Sequence, residues 1–514
     1  MRAQFFAKPF WITLAGLAAC FAVSALVFDT QFVLPALILI AAGTFLITLK
    51  NLEIGLAIVF AELFANSHGH LMFAHIGGFQ IGLRMVIFLA VMLAWLVLVI
   101  AGKEKLVYNT PKLKIFIPLF IAVALGLIIG FVQNGAGDAF RDGNAYFYLA
   151  YIFPILSIQW TAPKRRMILQ VLTASAIYIV ILTLGLLYLF SHFLDQEFMA
   201  NVYRFIRDTR TGEMTQMDSG IFRIFLPAQL TTVIAFLIFT PFFWIKQIDK
   251  NAWACTLVTL ALLFSVILIS LSRSFWVGLL AAALAFVIML VKFLWPGWPQ
   301  VGKAIGSHLL SKILAIIILA VAIIFPIPKP TLSFTDLTSL LSSRSSTVSD
   351  SAIDSRWKLL DPMLEKIKAA PLMGNGFGQT VVFITDDPRI RAEKPDGVYQ
   401  TYSLEWGWLE LWLKMGILGP LAFLYIFVML WRGLWPYLAS KNAWVGLGFI
   451  SALTLIYATH IFSPYLNHPL GLGFILFLIP FIQTKKPTVT VGAKIAAKIP
   501  KPEPQTTPAL TSEN

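Results

Sequence analysis

The 514-residue sequence has few charged residues and only two cysteines. Asp, Glu, Lys and Arg together make up 12% of the chain, whereas about a quarter of the residues in soluble domains are charged. This shortage excludes an ordinary soluble protein. Cys20 and Cys255 each lie inside an apolar run, so neither a disulfide framework nor a cysteine metal site is expected.

The sequence consists largely of long apolar runs. Hydrophobic residues form 58% of the chain, in runs of about 20 residues, which is the length that a helix needs to cross a bilayer. Helices satisfy their own backbone hydrogen bonds in lipid, so the sequence predicts an all-α, polytopic transmembrane bundle. The fourteen predicted spans are 10–28, 31–49, 52–67, 83–101, 115–132, 145–160, 168–190, 222–244, 252–270, 275–295, 312–328, 415–431, 443–462 and 469–483. The apolar part of the first is too long for a signal peptide, so we interpret it as an uncleaved helix.

The net charge of +14 is divided unequally between the two sides of this topology. One side carries 22 Lys and Arg against five acids, and the other carries 17 against 20. By the positive-inside rule the first side is the cytoplasm, and both termini lie there. The net positive charge is therefore explained by the membrane topology, and no nucleic-acid partner is expected.

The outer side is rich in arginine, although for each single Arg a pairing with a local acid is an alternative explanation. Guanidinium groups suit multidentate anions such as phosphate. Of the 17 outer cations, 11 are Arg: Arg84, Arg141, Arg204, Arg207, Arg210, Arg223, Arg273, Arg344, Arg356, Arg389 and Arg391. The excess predicts an anionic ligand on the outer side.

One outer segment is far longer than an ordinary connector. We divide the chain into spans 1–11 (1–328), an extracytoplasmic loop (329–414), spans 12–14 (415–483) and a tail (484–514). The tail is rich in Lys, Pro and Thr and has no aromatic residue, so it is predicted to be disordered and cytoplasmic.

Residues 355–370 of this loop are predicted to form an amphipathic helix. Its apolar stripe would contain Trp357, Leu360, Leu364 and Ile367. Pro362 would either kink this helix or open a second one. The following "GNGFG" predicts a turn, but no strand precedes it, so a dinucleotide-binding loop is not indicated.

Four arginines gather at the outer side in this topology. Arg273, in "LISLSRSFWVGLL", lies at the outer mouth between two spans, and Arg223 lies at the start of another. Arg344 and Arg356 come from the long loop. A charge at a span mouth is costly and usually has a functional partner; the alternative for Arg273 is a side chain that snorkels to the lipid headgroups. The four guanidiniums are on one side and are able to converge in the fold.

Three segments in order carry a family resemblance: "ISLSRSFWVGLLAAALAF", "DSRWKLLDPMLEKIKAAPLMGNGFG" and "YSLEWGWLELWLKMGILGP". Over about 270–420 the chain resembles the O-antigen polymerase and ligase superfamily of membrane glycosyltransferases. The resemblance implies a GT-C-like bundle in the bacterial inner membrane. It also implies transfer of glycans carried on undecaprenyl diphosphate at the outer face, by an inverting displacement without metal or cofactor. The implied partners are lipid-linked oligosaccharides as donor and acceptor, membrane lipid and a chain-length regulator protein.

The resemblance also implies site residues. Arg273 would stabilise the diphosphate, with Arg223 and Arg344 as further ligands and Arg356 supporting catalysis. Glu405 stands where ligases of the family carry a His; it would be a general base or the partner of a loop cation. The missing His favours a polymerase over a ligase. A lipid-linked oligosaccharide flippase is the alternative from another class, but the sequence shows no paired broken helices or repeated halves.

Exposed aromatic and imidazole groups are candidate glycan contacts. We predict this role for Tyr402, Trp406, Trp408 and His468, with an interfacial aromatic belt as the alternative. Glu62 would either pair with Arg84 or contact sugar. The "HGH" at 68–70 lies in a loop that has no carboxylate or Cys, so a metal site is not predicted there.

Overall fold

The computed structural model describes residues 2–77, 79–217, 220–245, 249–331, 351–386 and 388–483. Arg344 and the predicted tail 484–514 lie outside the described residues. Side chains of 351–355 are likewise not described.

Long apolar helices build the described part of the chain, as predicted. Nine of them are long and apolar enough to cross a membrane: Lys8–Val27, Val33–Lys50, Leu83–Ile100, Ala162–Phe190, Pro227–Ile245, Lys250–Ser270, Arg273–Phe293, Trp298–Ile324 and Leu418–Ala439. Three shorter apolar helices are Ile117–Gln133, Ala443–Thr459 and Pro469–Leu478. The two remaining predicted spans correspond to Leu52–Ala65 and to a 3-10 helix, Asn144–Tyr151, that continues as Ile152–Ser157. The prediction of an all-α, multi-pass membrane protein is confirmed.

Short helices connect these spans. The α-helical ones are Arg2–Phe5, Pro111–Lys114, Ala136–Gly143, Gln196–Asp208, Pro388–Glu393 and Gly407–Met415. The segment Pro227–Ile245 consists of the 3-10 turn Pro227–Gln229 and the helices Leu230–Phe239 and Pro241–Ile245. Two more 3-10 turns are Trp435–Ala439 and Tyr465–Asn467.

The centre of the bundle is formed by helices whose side chains are apolar on every face. Ala443–Thr459 and Pro469–Leu478 are almost entirely buried, and Pro227–Ile245 is too. Lys8–Val27 is equally apolar but is mostly uncovered. An all-round apolar helix must lie in a protein core or face lipid, so the first three form the core and the last lies at the lipid-facing rim.

Arg273–Phe293 is held against this core by a close helix contact. A Cβ atom at Gly278 would lie 2.1 Å from Thr459 Oγ1 and 2.9 Å from the Leu455 carbonyl oxygen. Small residues let helix backbones approach closely in membranes, where packing rather than hydrophobicity drives association. The position of Arg273 at the start of this helix is therefore well defined relative to the core.

In the part of the chain that the structure describes, three antiparallel hairpins lie between helices. They are β1–β2 (Phe73–Ile76 with Phe79–Gly82), β3–β4 (Glu213–Gln216 with Phe222–Phe225) and β5–β6 (Val381–Ile384 with Val398–Thr401). The predicted helix 222–244 was wrong at its start, because 222–225 pairs with β3 and the helical segment begins at Pro227. Aromatic and β-branched residues at 222–225 suit a strand, and Pro227 suits the first turn of a helix.

The loop helix, Ser351–Ala369, differs from its prediction in two ways. It runs through Pro362 without division. Its buried side chains are Leu359, Met363 and Ile367, whereas Trp357 is 58% exposed. These three share a small core with Val381, Leu404 and Leu413. The helix packs on the β5 strand and on Gly407–Met415, and this packing determines a buried face that differs from the predicted stripe. The same packing stabilises the helix although it contains a proline.

Candidate active site

A tight reversal places Arg273 at the first residue of its helix. The preceding helix ends at Ser270, and Leu271 adopts a left-handed φ of 47°. The Ser270 hydroxyl accepts a hydrogen bond of 3.3 Å from the Ser272 amide, and the hydroxyls of Ser272 and Ser274 lie 3.0 Å apart. A helix N-terminus offers backbone N–H groups and a positive dipole end. Arg273 therefore adds a guanidinium where an anion is already favoured.

Arg223 lies beside the same reversal. From β4 its Nε donates a hydrogen bond of 2.9 Å to the Ser270 carbonyl, and its guanidinium lies 5.0 Å from the centre of the Phe225 ring. The structure therefore brings Arg223 to the turn that precedes Arg273. The register of the β3–β4 hairpin, with Arg223 opposite Thr215, determines this placement.

Arg356 and Glu405 form an ion pair between the loop helix and the segment that enters Gly407–Met415. The Trp406 indole donates a hydrogen bond of 2.8 Å to the Arg356 carbonyl and packs edge-on against Trp357 at 5.4 Å. Glu405 thus has a loop cation as its partner, one of the two roles predicted for it. Both groups remain partly exposed, so the carboxylate is accessible to a ligand.

The loop 460–468 connects this ion pair to the mouth at Arg273. The Trp406 ring lies 5.4 Å from the Phe462 ring. Next to Phe462, the Ser463 hydroxyl donates to the Ser274 hydroxyl at 2.9 Å. Phe275 in turn stacks on Tyr465 at 6.0 Å. These contacts lead from Arg356 to Ser274, the residue next to Arg273. We define Arg223, Arg273, Arg356 and Glu405, with the loop 460–468 between them, as the arginine site.

The candidate glycan contacts lie in different surroundings. The Trp408 indole donates to the Tyr457 carbonyl at 3.3 Å and packs on His460, so its N–H serves the bundle. Tyr402 is half-buried, and its carbonyl accepts a hydrogen bond from a buried lysine. His468 caps the helix Pro469–Leu478 by accepting from the Leu470 amide at 3.2 Å. A glycan role for these residues stays a prediction.

A buried charge cluster lies five residues beyond Glu405, and sequence reasoning did not identify it. The Lys414 ammonium donates to Asp142 Oδ1 at 2.6 Å, to the Tyr402 carbonyl at 2.9 Å and to Glu410. Burial raises the pKa of Glu410 to about 7, although Lys414 opposes this. Burial lowers the pKa of Lys414, but the two carboxylates outweigh it and the net shift is upward. The four-residue spacing of Glu410 and Lys414 was the available signal.

The glycine-rich turn 374–378 anchors the loop to the bundle. Gly374, Gly376 and Gly378 have φ values of 77°, 78° and 81°, and a Cβ at Gly376 would lie 2.3 Å from the Gly130 amide nitrogen. The Gly378 amide donates to Asp142 Oδ2 at 2.7 Å. Glycine is needed here because the turn adopts left-handed backbone and touches neighbouring backbone. The turn positions the loop helix.

A second cluster surrounds Arg84. Its Nε lies 2.9 Å from Glu62 Oε2, so the predicted pairing is confirmed. His68 Nδ1 lies 3.4 Å from His468 Nε2. Burial, and then the charges of Arg84 and Arg210, lower the pKa values of His68 and His70 to about 4. Both imidazoles are therefore neutral at pH 7. Among the residues that the structure describes, no group of three His, Cys, Asp or Glu side chains is arranged to hold a metal ion.

Comparison with known proteins agrees with the motifs. Residues 258–424 match the model of a protein family described as O-antigen ligase. A search of curated proteins found no match. The matched segment contains Arg273, the loop helix, the glycine-rich turn and Glu405. Over this segment the chain is similar to that family, which supports the resemblance to the O-antigen polymerase and ligase superfamily.

Proposed function

We propose that this protein is a membrane glycosyltransferase that polymerises oligosaccharide repeats carried on undecaprenyl diphosphate, at the outer face of the bacterial inner membrane. The observation that carries this proposal is the arginine site. It joins Arg223 and the helix start at Arg273 to the Arg356–Glu405 pair through one continuous set of contacts. The family match over 258–424 supports the same class of reaction.

The chemistry requires positive charge at the leaving group. An acceptor hydroxyl oxygen attacks the anomeric carbon, the bond from that carbon to the lipid diphosphate breaks, and its electron pair leaves with the diphosphate. Negative charge therefore grows on the diphosphate in the transition state. Arg273 at a helix N-terminus, with Arg223 beside it, supplies fixed positive charge there. Preorganised charge of this kind supplies most of the rate enhancement in many enzymes.

Glu405 is the proposed acceptor of the hydroxyl proton. Its carboxylate is partly exposed, and a side chain of this type acts as a general base when it lies within hydrogen-bond reach of the hydroxyl. Arg356 orients the carboxylate and is itself held by the Trp406 indole. Arg356 is therefore a positioning residue for Glu405 in this proposal.

The alternative within the same class is a ligase that transfers the glycan to lipid A core or another terminal acceptor. The description of the matched family, O-antigen ligase, favours this alternative. The Glu at position 405, where the ligases carry a His, favours a polymerase whose acceptor is a second lipid-linked repeat.

Replacing Arg273 by Ala or Lys in the producing bacterium tests the proposal. We expect loss of long polysaccharide while single-repeat lipid-linked intermediate still reaches the outer face. Arg432→Ala is the matched control, because Arg432 is exposed and lies in the last turn of its helix, away from the arginine site. Unchanged chain length in the Arg273 variants would overturn the proposal. Full-length polymer that stays on the lipid carrier would support the ligase activity in place of the polymerase activity.

A further inference from the structure

An apolar groove runs between the first two long helices. Lys8–Val27 and Val33–Lys50 follow each other in the chain but pack on different neighbours, the first on Ala162–Phe190 and the second on Leu83–Ile100. The groove left between them has a volume of about 740 Å³, and residues of Leu52–Ala65 line it as well. Two consecutive helices thus leave open a space that close packing would have filled.

The length and lining of the groove suit a hydrocarbon chain. Its lining on the first helix extends from Pro9 to Val23, a rise of about 21 Å at 1.5 Å per residue. That distance is most of the ~30 Å hydrocarbon core of a bilayer. Apolar side chains form nearly all of the lining, and the charged residue Glu62 and the amide residue Asn66 lie towards one end.

A polar pocket of about 430 Å³ adjoins that end. Leu71 lines both the groove and the pocket. Polar side chains around the pocket include Asp29, Gln31, His75 and Arg204. An apolar channel that continues into a polar space matches a molecule with a long hydrocarbon tail and a hydrophilic head.

The loop at this end of the groove is hydrogen-bonded to residues beside the hairpin that carries Arg223. The Ser67 hydroxyl, next to Asn66, donates to the Thr211 carbonyl at 2.6 Å and accepts from the Ala228 amide at 3.2 Å. These two residues flank the β3–β4 hairpin that carries Arg223. Glu62, which lines the groove, pairs with Arg84, and Arg84 Nη1 is buried with no hydrogen-bond partner among the described residues.

We propose that the groove holds the polyprenyl tail of a lipid-linked substrate, whose head leaves the groove at the loop 66–72 towards the arginine site. The proposal rests on the proposed function, because that function supplies the lipid class. The groove has the form of one channel, as the single chain of a polyprenyl lipid requires. Its polar end adjoins the hairpin that carries a diphosphate ligand.

Two glycines provide a matched test. A Cβ at Gly16 or at Gly43 would meet nothing within 4 Å, so the backbone at both positions leaves room for a side chain to begin. Gly16 lines the groove, whereas Gly43, on the second helix, is not part of the lining. The variants Gly16→Trp and Gly43→Trp therefore differ in whether the indole fills the groove.

The measurement is native mass spectrometry of full-length protein from nanodiscs of phosphatidylethanolamine and phosphatidylglycerol that contain undecaprenyl phosphate. We expect wild type and Gly43→Trp to retain one undecaprenyl phosphate, and Gly16→Trp to retain about 10-fold less, because the large indole occupies the space of the chain. The thermal midpoint of Gly16→Trp should equal that of Gly43→Trp.

Equal retention by the two variants would overturn the proposal, and so would retention of phospholipid in place of undecaprenyl phosphate. The Arg273 variants separate this result from the proposed function. If polymer length is unchanged in Arg273→Ala while the Gly16→Trp effect on retention persists, the proposed function fails and a polyprenyl groove remains. If polymer length falls and the two Trp variants retain lipid equally, the groove assignment fails alone.

Discussion

Glu405 and Glu410 lie five residues apart and each is paired with a cation, but their environments are opposite. The side chains of Glu405 and Arg356 are 49% and 29% exposed. Those of Glu410 and Lys414 are 6% and 3% exposed, and Asp142 completes the second cluster. An exposed pair contributes about 0–1 kcal/mol to stability, whereas breaking a buried one costs about 3–5 kcal/mol. The exposed pair is therefore available for catalysis, and the buried cluster stabilises the fold.

The largest effect is expected from a substitution that breaks the buried cluster. Lys414→Met leaves Asp142 and Glu410 without their cation, so we expect the free energy of unfolding to fall by about 3–5 kcal/mol. Thermal and denaturant unfolding of the purified protein measure this change. Lys368→Met, at an exposed position of the loop helix, is the control and should leave stability unchanged. A loss below about 1 kcal/mol for Lys414→Met would contradict the structural role.

The next effect addresses the exposed pair. Glu405→Gln keeps the shape of the side chain and removes its proton-accepting charge, so we expect glycan transfer to fall by about 10²-fold or more. The thermal midpoint should change by no more than about 2 °C. Transfer assays on lipid-linked repeats, with Glu365→Gln on the exposed face of the loop helix as control, measure this. Glu405→His should recover part of the activity, since the family resemblance places a His there. A wild-type rate for Glu405→Gln would contradict the general-base role and leave Glu405 only as the ion-pair partner of Arg356.

A further effect is a pH dependence of the buried cluster. The pKa of Glu410 is raised in the folded protein from 4.5 to about 7. The folded state therefore binds this proton more tightly than the unfolded state, so its stabilising contribution is present below about pH 4.5 and is lost as the pH rises towards 7. Unfolding measured between pH 4.5 and 8 should show this loss in wild type and in Glu365→Gln. Glu410→Gln, which cannot ionise, should lack that part of the slope; an unchanged slope would contradict the assignment.

Hydropathy predicted the helical spans because their signal is local. A helix in lipid satisfies its backbone within its own segment, so a run of apolar residues is sufficient to identify one. The same logic did not extend to 222–225, where pairing with β3 turned the predicted helix start into a strand. It also did not identify the buried face of the loop helix, because Leu359 and Met363 pack on a core that the β5 strand and Gly407–Met415 supply.

The site shows the same division. The residue types and motifs made Arg273, Arg223, Arg356 and Glu405 candidates, because groups of these types bind phosphate and transfer protons. The contacts of these residues could not be predicted from the sequence. The Arg356–Glu405 pair joins residues 49 positions apart, and His68 meets His468 across 400 positions.

Composition and local periodicity thus determined that this is a multi-pass helical membrane protein, and they predicted an arginine-rich outer side and a family resemblance. Tertiary packing decided which carboxylate is buried and which is exposed, where the glycine-rich turn docks, and that a groove separates the first two long helices. The physical reason is that backbone satisfaction and apolar length depend on a single segment. Burial and charge pairing depend on segments that only folding brings together.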